Sequence, residues 1–295
     1  MKSGIVIINK GQSLTSQGVV NRVKRLFSVD KAGHTGTLDP MATGVLPVLV
    51  GRAVKASEFM LSSEKAYVAE LTLGFTSDTE DIWGALTKTN APLPSEDEVA
   101  AVLARFRGEI LQTPPMYSAL KIGGKKLCDL AREGKEIERT ARPITVYRLE
   151  GERLSEQTYR LTVDCSKGTY IRTLCNDIGA ALGTGGVMSA LCRREASGFS
   201  LEDAHTLEEI EAMSSEEREA LILPIERIFE KYPLVTLAPF FERLCRSGCE
   251  IYQKKIGTAF SLGARVRLYG KDGFFALGEV REYEDGLAIK PIRQF

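Results

Sequence analysis

The stretch AGHTGTLDPMATGVLPVLVG, residues 32–51, sets the tightest limit on how this chain folds. Gly33, Gly36 and Gly44 supply bends, and Pro40 biases Asp39 away from the helical region. The segment is therefore a loop of specified shape that runs straight into the apolar strand VLPVLVG. Such punctuation marks either a tight connector or a loop that presents a functional side chain. Asp39 is the residue in its middle with a full charge, and at this level its carboxylate has two readings: the cap of an Asx-type turn, or a group held out for chemistry.

The flanking segments carry clear periods. GIVIINK reads as a strand, followed by a helix with Val19, Val20, Val23, Leu26 and Phe27 at helical spacing. KAYVAELTLG alternates Tyr67, Ala69, Leu71 and Leu73 against Val68, Glu70 and Thr72, which places Tyr67 at the entrance of a half-buried strand. Ser95 with Glu98 forms a capping box before a helix bearing Val99, Val102, Leu103 and Phe106. The same signal recurs as Thr206 with Glu209 and Ser214 with Glu217 in the acidic stretch from Leu201 to Glu230. The strand TYRLTVDCS gives way at Lys167 and Gly168 to a helix with Ile171, Leu174 and Ile178 on one face. Tyr170 and Arg172 thus sit at a strand-to-helix junction, where free backbone donors and the helix dipole favour an anion. EKYPLVTL marks a boundary, after which ARVRLYG and FFALGEV, joined through KDG, predict a small β-rich module.

Composition decides which chemistry is available. A length of 295 residues suits one large domain plus a small one. The 39 basic and 39 acidic residues cancel, so contact with nucleic acid has to come from local clustering. Lys121, Lys125, Lys126, Arg139 and Arg142 supply one cluster, either an RNA-facing surface or a solvated charged face. No apolar run approaches the ~18 residues of a membrane span, and MKSGIVIINKG is too short for a secretory signal, so a cytoplasmic location is expected. The six cysteines are scattered apart from Cys245 and Cys249, and the histidines are His34 and His205 alone. That inventory is poor for a zinc site or a histidine triad, and no metal is expected. Carboxylate, phenol and guanidinium remain to carry any chemistry.

GHTGTLDPMATGVLPV, KAYVAELTLG, TPPMYSALKIGGKK and CSKGTYIRTLCNDIG, in this order, resemble the bacterial tRNA pseudouridine-55 synthases of the TruB family, over a span from about residue 4 to 200. RVRLYGKDGFFALGEVREYEDGLAIKPIRQF looks like the small PUA-related RNA-binding domain that often follows. The resemblance implies an α+β pseudouridine synthase fold over residues 1–230, a mixed, largely antiparallel sheet flanked by helices, with a PUA-like β domain over 231–295. It also implies isomerisation of uridine 55 in the T loop of tRNA by base flipping, without a cofactor. The expected partner is the tRNA T stem-loop, with no membrane and no obligatory protein partner, and the expected state is a monomer.

Residue by residue, the resemblance implies that Asp39 is the catalytic carboxylate and Arg172 the arginine paired with it. Tyr67 resembles the tyrosine that stacks on the target base and is a candidate for abstracting the C5 proton. Tyr170 is similar to a tyrosine lining the same pocket, and His34 to the histidine that holds the substrate loop open. A leucine usually precedes the arginine pair of the pocket wall; here Cys192 stands before Arg193 and Arg194, with Leu191 one residue earlier. Leu191, Arg193, Lys125 and Lys126 complete the expected substrate contacts.

The residue types suit that reaction. An ionised carboxylate can attack C1′ or C6, or stabilise charge developing on the sugar. A guanidinium keeps it ionised and aimed, and an aromatic face offsets part of the cost of unstacking a base. Read without the resemblance, Arg172 is equally a surface arginine binding phosphate, and Tyr67 and Tyr170 are half-buried sheet aromatics. Two rivals stand beside the synthase. One is a non-catalytic RNA-binding protein of the same fold; the other is a glycosidase, which needs a second carboxylate across the bond, for which Asp78 and Asp81 are available.

Overall fold

The computed structural model describes residues 2–60 and 64–295, with the backbone alone for Lys126, so the side chain of that expected RNA contact lies outside the described residues. Strand β1 (Gly4–Lys10) leads to helix α1 (Ser16–Leu26), which Thr15 caps by accepting the Gly18 N–H and which buries Val19, Val20 and Val23. Strands β2 (Ala32–His34) and β3 (Thr43–Val50) flank the Asp39 loop. After the short helix α2 (Ser57–Met60), β4 (Lys65–Leu73) buries Tyr67, Ala69, Leu71 and Leu73 and leaves the alternate residues half-buried. This is the period of two read from the sequence.

A hairpin of β5 (Phe75–Ser77) and β6 (Leu86–Lys88) precedes α3 (Glu96–Arg105), which starts at the Ser95 and Glu98 capping box. Then come β7 (Gly108–Gln112), a hairpin of β8 (Lys121–Ile122) and β9 (Lys125–Lys126), and α4 (Leu127–Arg132). The long strands β10 (Arg142–Arg153) and β11 (Thr158–Cys165) follow, and α5 (Ile171–Ala181) begins at Tyr170. The unit closes with β12 (Gly186–Ala196), β13 (Phe199–Ser200), α6 (Leu207–Ala212) and α7 (Ser215–Ala220), the last two helices each opened by its capping box.

Among the described residues one sheet runs in the order β1-β3-β12-β4-β11-β10-β7, with β2 and β13 paired at its side, while β5–β6 and β8–β9 stand apart as two-stranded hairpins. Its pairings are antiparallel apart from β12 with β3, where Cys192 and Arg193 run parallel to Thr43 and Gly44. Gly44 has a φ of 102°, and a Cβ there would lie 2.2 Å from the Arg193 carbonyl oxygen, so the approach requires glycine. Helices α1, α3 and α5 share one core with the sheet, including Val20, Leu71, Leu103, Val163 and Leu174. Each such side chain contributes about 1.5–3 kcal/mol on burial, which makes the sheet a rigid base for what its loops carry.

The expected small β-rich module comprises β14 (Leu234–Thr236), α8 (Pro239–Arg246), β15 (Ile251–Tyr252), α9 (Gln253–Ile256), β16 (Arg265–Gly270), β17 (Gly273–Tyr283) and β18 (Gly286–Gln294). Its strands pair in the order β14-β16-β17-β18-β15 around a separate core that includes Val266, Leu268 and Val280. The two sheets meet through Phe229, which is 1% exposed. Its ring lies 5.3 Å from that of Phe59, 5.8 Å from Phe274 and 5.5 Å from Phe295. Arg293 pairs with Glu58 across the same joint.

Candidate active site

The Asp39 loop is held from several sides. Ser16, at the start of α1, receives the Leu38 N–H at 2.8 Å and returns its hydroxyl to the Leu38 carbonyl at 3.0 Å. The turn after Asp39 is closed by its backbone carbonyl, which accepts the Ala42 N–H at 3.0 Å. Lys10, at the end of β1, is fully buried and donates to the carbonyls of Gly11 at 2.9 Å and Pro40 at 3.3 Å. With the turn closed by backbone, the Asp39 carboxylate is directed elsewhere: its Oδ2 lies 3.0 Å from Nε of Arg172. Of the two readings of Asp39, the geometry favours a presented carboxylate over a turn cap.

Arg172, in the first turn of α5, is buried and fully engaged. Beyond Asp39, Nη1 donates to the Thr79 carbonyl at 3.0 Å and faces Oδ2 of Asp81 at 3.5 Å, while Nη2 donates to the Tyr117 carbonyl at 2.7 Å. One guanidinium therefore ties the Asp39 loop, the β5–β6 connection and the segment before β8 to one helix end, with the planar fork that lysine lacks.

Asp39 opens, 35% accessible, into a cavity of about 320 Å³. Tyr67, Tyr170, Leu191, Arg193 and Arg172 line it, together with Lys65, Ser118 and the backbone around Gly36. Burial pushes the Asp39 carboxyl above the usual carboxylate range, partly countered by Arg172 and Lys10, whereas Asp81 adds to the rise. The expectation that Arg172 keeps Asp39 ionised is opposed by burial, which outweighs the guanidinium. Burial also lowers Lys10 to about 8, with Asp39 pulling it back up and Arg193 pressing it down. The Tyr67 phenol is raised by burial, and the neighbouring Arg193 opposes that rise.

The cavity therefore gathers six of the expected site residues. His34 lies just behind it in β2, its Nδ1 accepting the Gly36 N–H at 3.4 Å, and burial and Arg193 hold the ring below the usual histidine value. Tyr170 is fixed by Gln112, whose side-chain oxygen takes the Tyr170 N–H at 2.8 Å and whose amide donates to its carbonyl at 3.0 Å. Arg193 is 1% exposed and donates to the carbonyls of Val45 at 2.8 Å and Gly36 at 3.2 Å. Lys125 stands exposed on the β8–β9 hairpin, outside the cavity lining.

Sequence reasoning missed Lys10 and the role of Asp81. Asp81 is 6% exposed, and its Oδ1 accepts the Thr79 hydroxyl at 2.7 Å and the Trp83 N–H at 3.0 Å. Asp78, by contrast, spends its carboxylate on the Ala85 N–H at 2.7 Å, a turn contact. A lysine closing the apolar strand GIVIINK was the one local trace of Lys10, without a sign of its burial; nothing local separates Asp81 from Asp78.

A carboxylate held on a buried arginine, with tyrosines lining the same cavity, sits on a sheet shared with solved Cbf5 and H/ACA RNP structures, and fold and sequence together place the chain among the pseudouridine synthases. The structure of a Cbf5-Nop10-Gar1 complex superposes with a TM-score of 0.74 at 27% identity, covering 99% of this chain and 85% of that one. An H/ACA RNP bound to a substrate RNA containing 2'-deoxyuridine gives 0.73 at 25% identity, covering 99% and 84%. The chain belongs to the TruB family of pseudouridylate synthases: residues 24–171 match its N-terminal domain, and residues 172–230 match the tRNA pseudouridylate synthase B C-terminal domain. The latter match begins at Arg172 and ends before the β14–β18 module. The tRNA pseudouridine synthase B of Francisella philomiragia is 42% identical over 280 residues, covering 94% of this chain and 91% of that one. That of Alkaliphilus oremlandii is 43% identical over 281 residues, covering 95% and 93%.

Proposed function

We propose that this chain isomerises uridine to pseudouridine in tRNA, at position 55 of the T loop, with Asp39 as the reacting carboxylate. The observation that carries the reading is the 3.0 Å pair of Asp39 with Arg172 at the wall of a cavity that Tyr67 and Tyr170 also line. In the reaction the N1–C1′ bond breaks, the C5–C1′ bond forms, the C5 proton leaves and N1 gains one, so atoms and electrons balance without a co-reactant. Asp39 supplies a nucleophile or a counter-charge for the sugar. Arg172 holds it in place, and Tyr67 offers a ring to the flipped base; its oxygen takes the C5 proton as the phenolate, a form that burial disfavours and Arg193 favours. The glycosidase reading loses support from the position of Asp81, which shares the guanidinium of Asp39 and is absent from the cavity lining.

The reading extends to the division of the chain, with residues 1–230 catalytic and residues 231–295 a PUA-like module that enlarges the RNA footprint. The two separate sheets support it. A cytoplasmic monomer acting without an obligatory protein partner completes the proposal; no helix among the described residues is long and apolar enough to cross a membrane. The test is Asp39→Asn, assayed by single-turnover pseudouridine formation at saturating enzyme beside a binding titration on the same T stem-loop RNA. Retained affinity with abolished isomerisation is expected, because the amide keeps the shape and removes the charge. Near-normal turnover would refute the assignment, and a wild-type chain that binds without converting the RNA would favour a binding protein.

A further inference from the structure

The cavity has a second charged wall, set apart from the Asp39–Arg172 pair. Lys65 lies two residues before Tyr67 in β4, so both point to the same face about 6.7 Å apart along the strand. Gly36, with a φ of 146°, has no side chain to fill the space beneath: the point its Cβ would occupy is 3.6 Å from Nη1 of Arg193 and 3.8 Å from Cε of Lys65. Two cationic side chains thus converge over bare backbone in the lining of the cavity.

Arg193 is the second observation. Its guanidinium is 1% exposed, its charge is met by the carbonyls of Val45 and Gly36, and among the described residues no carboxylate lies within ion-pair distance of it. Taking a cation out of water costs several kcal/mol unless an anion or a full set of acceptors offsets it. Burial holds the Lys65 ammonium below the usual lysine value, with Arg193 and the exposed Lys167 adding to the fall and Cys165 opposing it. The carboxylate in the cavity lining, Asp39, is engaged by Arg172.

We propose that Lys65 and Arg193, converging over Gly36, form a phosphate site that takes the backbone phosphate of the nucleotide whose base enters the cavity. The inference rests on the reading of the chain as an RNA-modifying enzyme and specifies which atoms of the RNA it grips. A phosphate lies one sugar away from its base, so a base on Tyr67 with C1′ at Asp39 brings its own backbone charge to this wall. Arg193 supplies the planar fork and Lys65 the point charge, as phosphate recognition uses them. The site makes flipping cooperative: the pull on the phosphate is collected when the nucleotide has left its stack.

The experiment is a double-mutant cycle between protein and RNA. Its probes are T stem-loop RNAs carrying a single uncharged methylphosphonate linkage 5′ or 3′ to the target uridine. On wild type, one of the two should weaken binding about tenfold or more and lower the slope of log K against log salt by about 0.7–1. Lys65→Gln should cause a similar loss on unmodified RNA yet add little with that methylphosphonate, and Lys65→Arg should restore most of the affinity. Additive losses with both RNAs, or a Lys65→Gln chain with unchanged affinity and salt slope, would overturn the phosphate site. Conversion of unmodified RNA by wild type is the control: if it fails, the functional reading falls and the inference with it; if it succeeds without coupling, the phosphate site alone falls.

Discussion

Removing Arg172 should cost the fold far more when Asp81 is present than when it is neutral. Arg172→Met deletes the donor to two carbonyls, Thr79 and Tyr117, and leaves Asp81, 6% exposed, as a buried charge without its cation. Breaking a buried ion pair from one side costs about 3–5 kcal/mol. In an Asp81→Asn background that charge is gone, and the two carbonyls, with Asp39 left without its guanidinium in both backgrounds, leave a loss of about 2–3 kcal/mol. The difference between the two losses, up to about 3 kcal/mol, is the coupling, in the range of directly interacting neighbours. Urea unfolding of the four chains at neutral pH, compared at a common m-value, measures it. Equal losses in both backgrounds, or a loss below about 1 kcal/mol for Arg172→Met with Asp81 intact, would refute the claim that this arginine is the electrostatic pin of the site.

The remaining predictions concern pH, close approach and the joint between the sheets. Burial favours protonated Asp39 in the folded chain, so single-turnover rate should fall on acidification at a pH above the ordinary carboxylate value, and Asp39→Asn should unfold no earlier than wild type at neutral pH; a clearly lower Tm would contradict this. Lys10 sits at about 8 against 10.5 in the unfolded chain, so stability should rise as pH climbs from about 8 towards 10.5, where the unfolded state alone keeps the proton. Lys10→Met should flatten that rise in thermal unfolding and move the acid limb of the rate profile upward, since Asp39 loses a nearby cation. Gly44→Ala should cost about 1–3 kcal/mol and lower turnover, because its methyl meets the Arg193 backbone; a chain with wild-type stability and rate would show that the β3–β12 approach is slack. Phe229→Ala should cost about 3–5 kcal/mol by calorimetry, and deleting residues 231–295 should destabilise the first unit as well, since Phe274 and Phe295 cover that ring.

Elements whose cause is local were legible in the sequence. The alternation that buries Tyr67 is a property of nine consecutive residues, and each capping box needs only a hydroxyl and a carboxylate three apart. Asp39 and Arg172 were legible as motif residues, although their pairing depends on β12 and α5 being set against the loop. Asp81 was not distinguishable from Asp78, because both sit in the short acidic turn SDTED. What separates them is a distant contact: the Ile82 N–H donates to the Met188 carbonyl and the Met188 N–H to the Glu80 carbonyl, each at 3.1 Å, and this carries Asp81 beneath Arg172. Lys10 was hidden for a similar reason, since strand pattern alone does not reveal that the Pro40 turn folds back over it.

The short parallel seam between β3 and β12 has a consequence for the life of the chain before it is an enzyme. Arg193 donates to Val45 across 148 residues of sequence, so the two halves of the cavity are made far apart in time. At a synthesis rate of about 5–20 residues per second, the Asp39 loop waits on the order of ten seconds for its opposite wall. Closing so long a loop is among the slower steps available to a chain of this topology. A stalled or clipped product ending before β12 carries Asp39 but lacks Leu191 and Arg193, and with them one wall of the cavity. Competence to handle RNA is thereby a late event in folding, and the appearance of turnover during refolding should lag the burial of β1, α1 and β3.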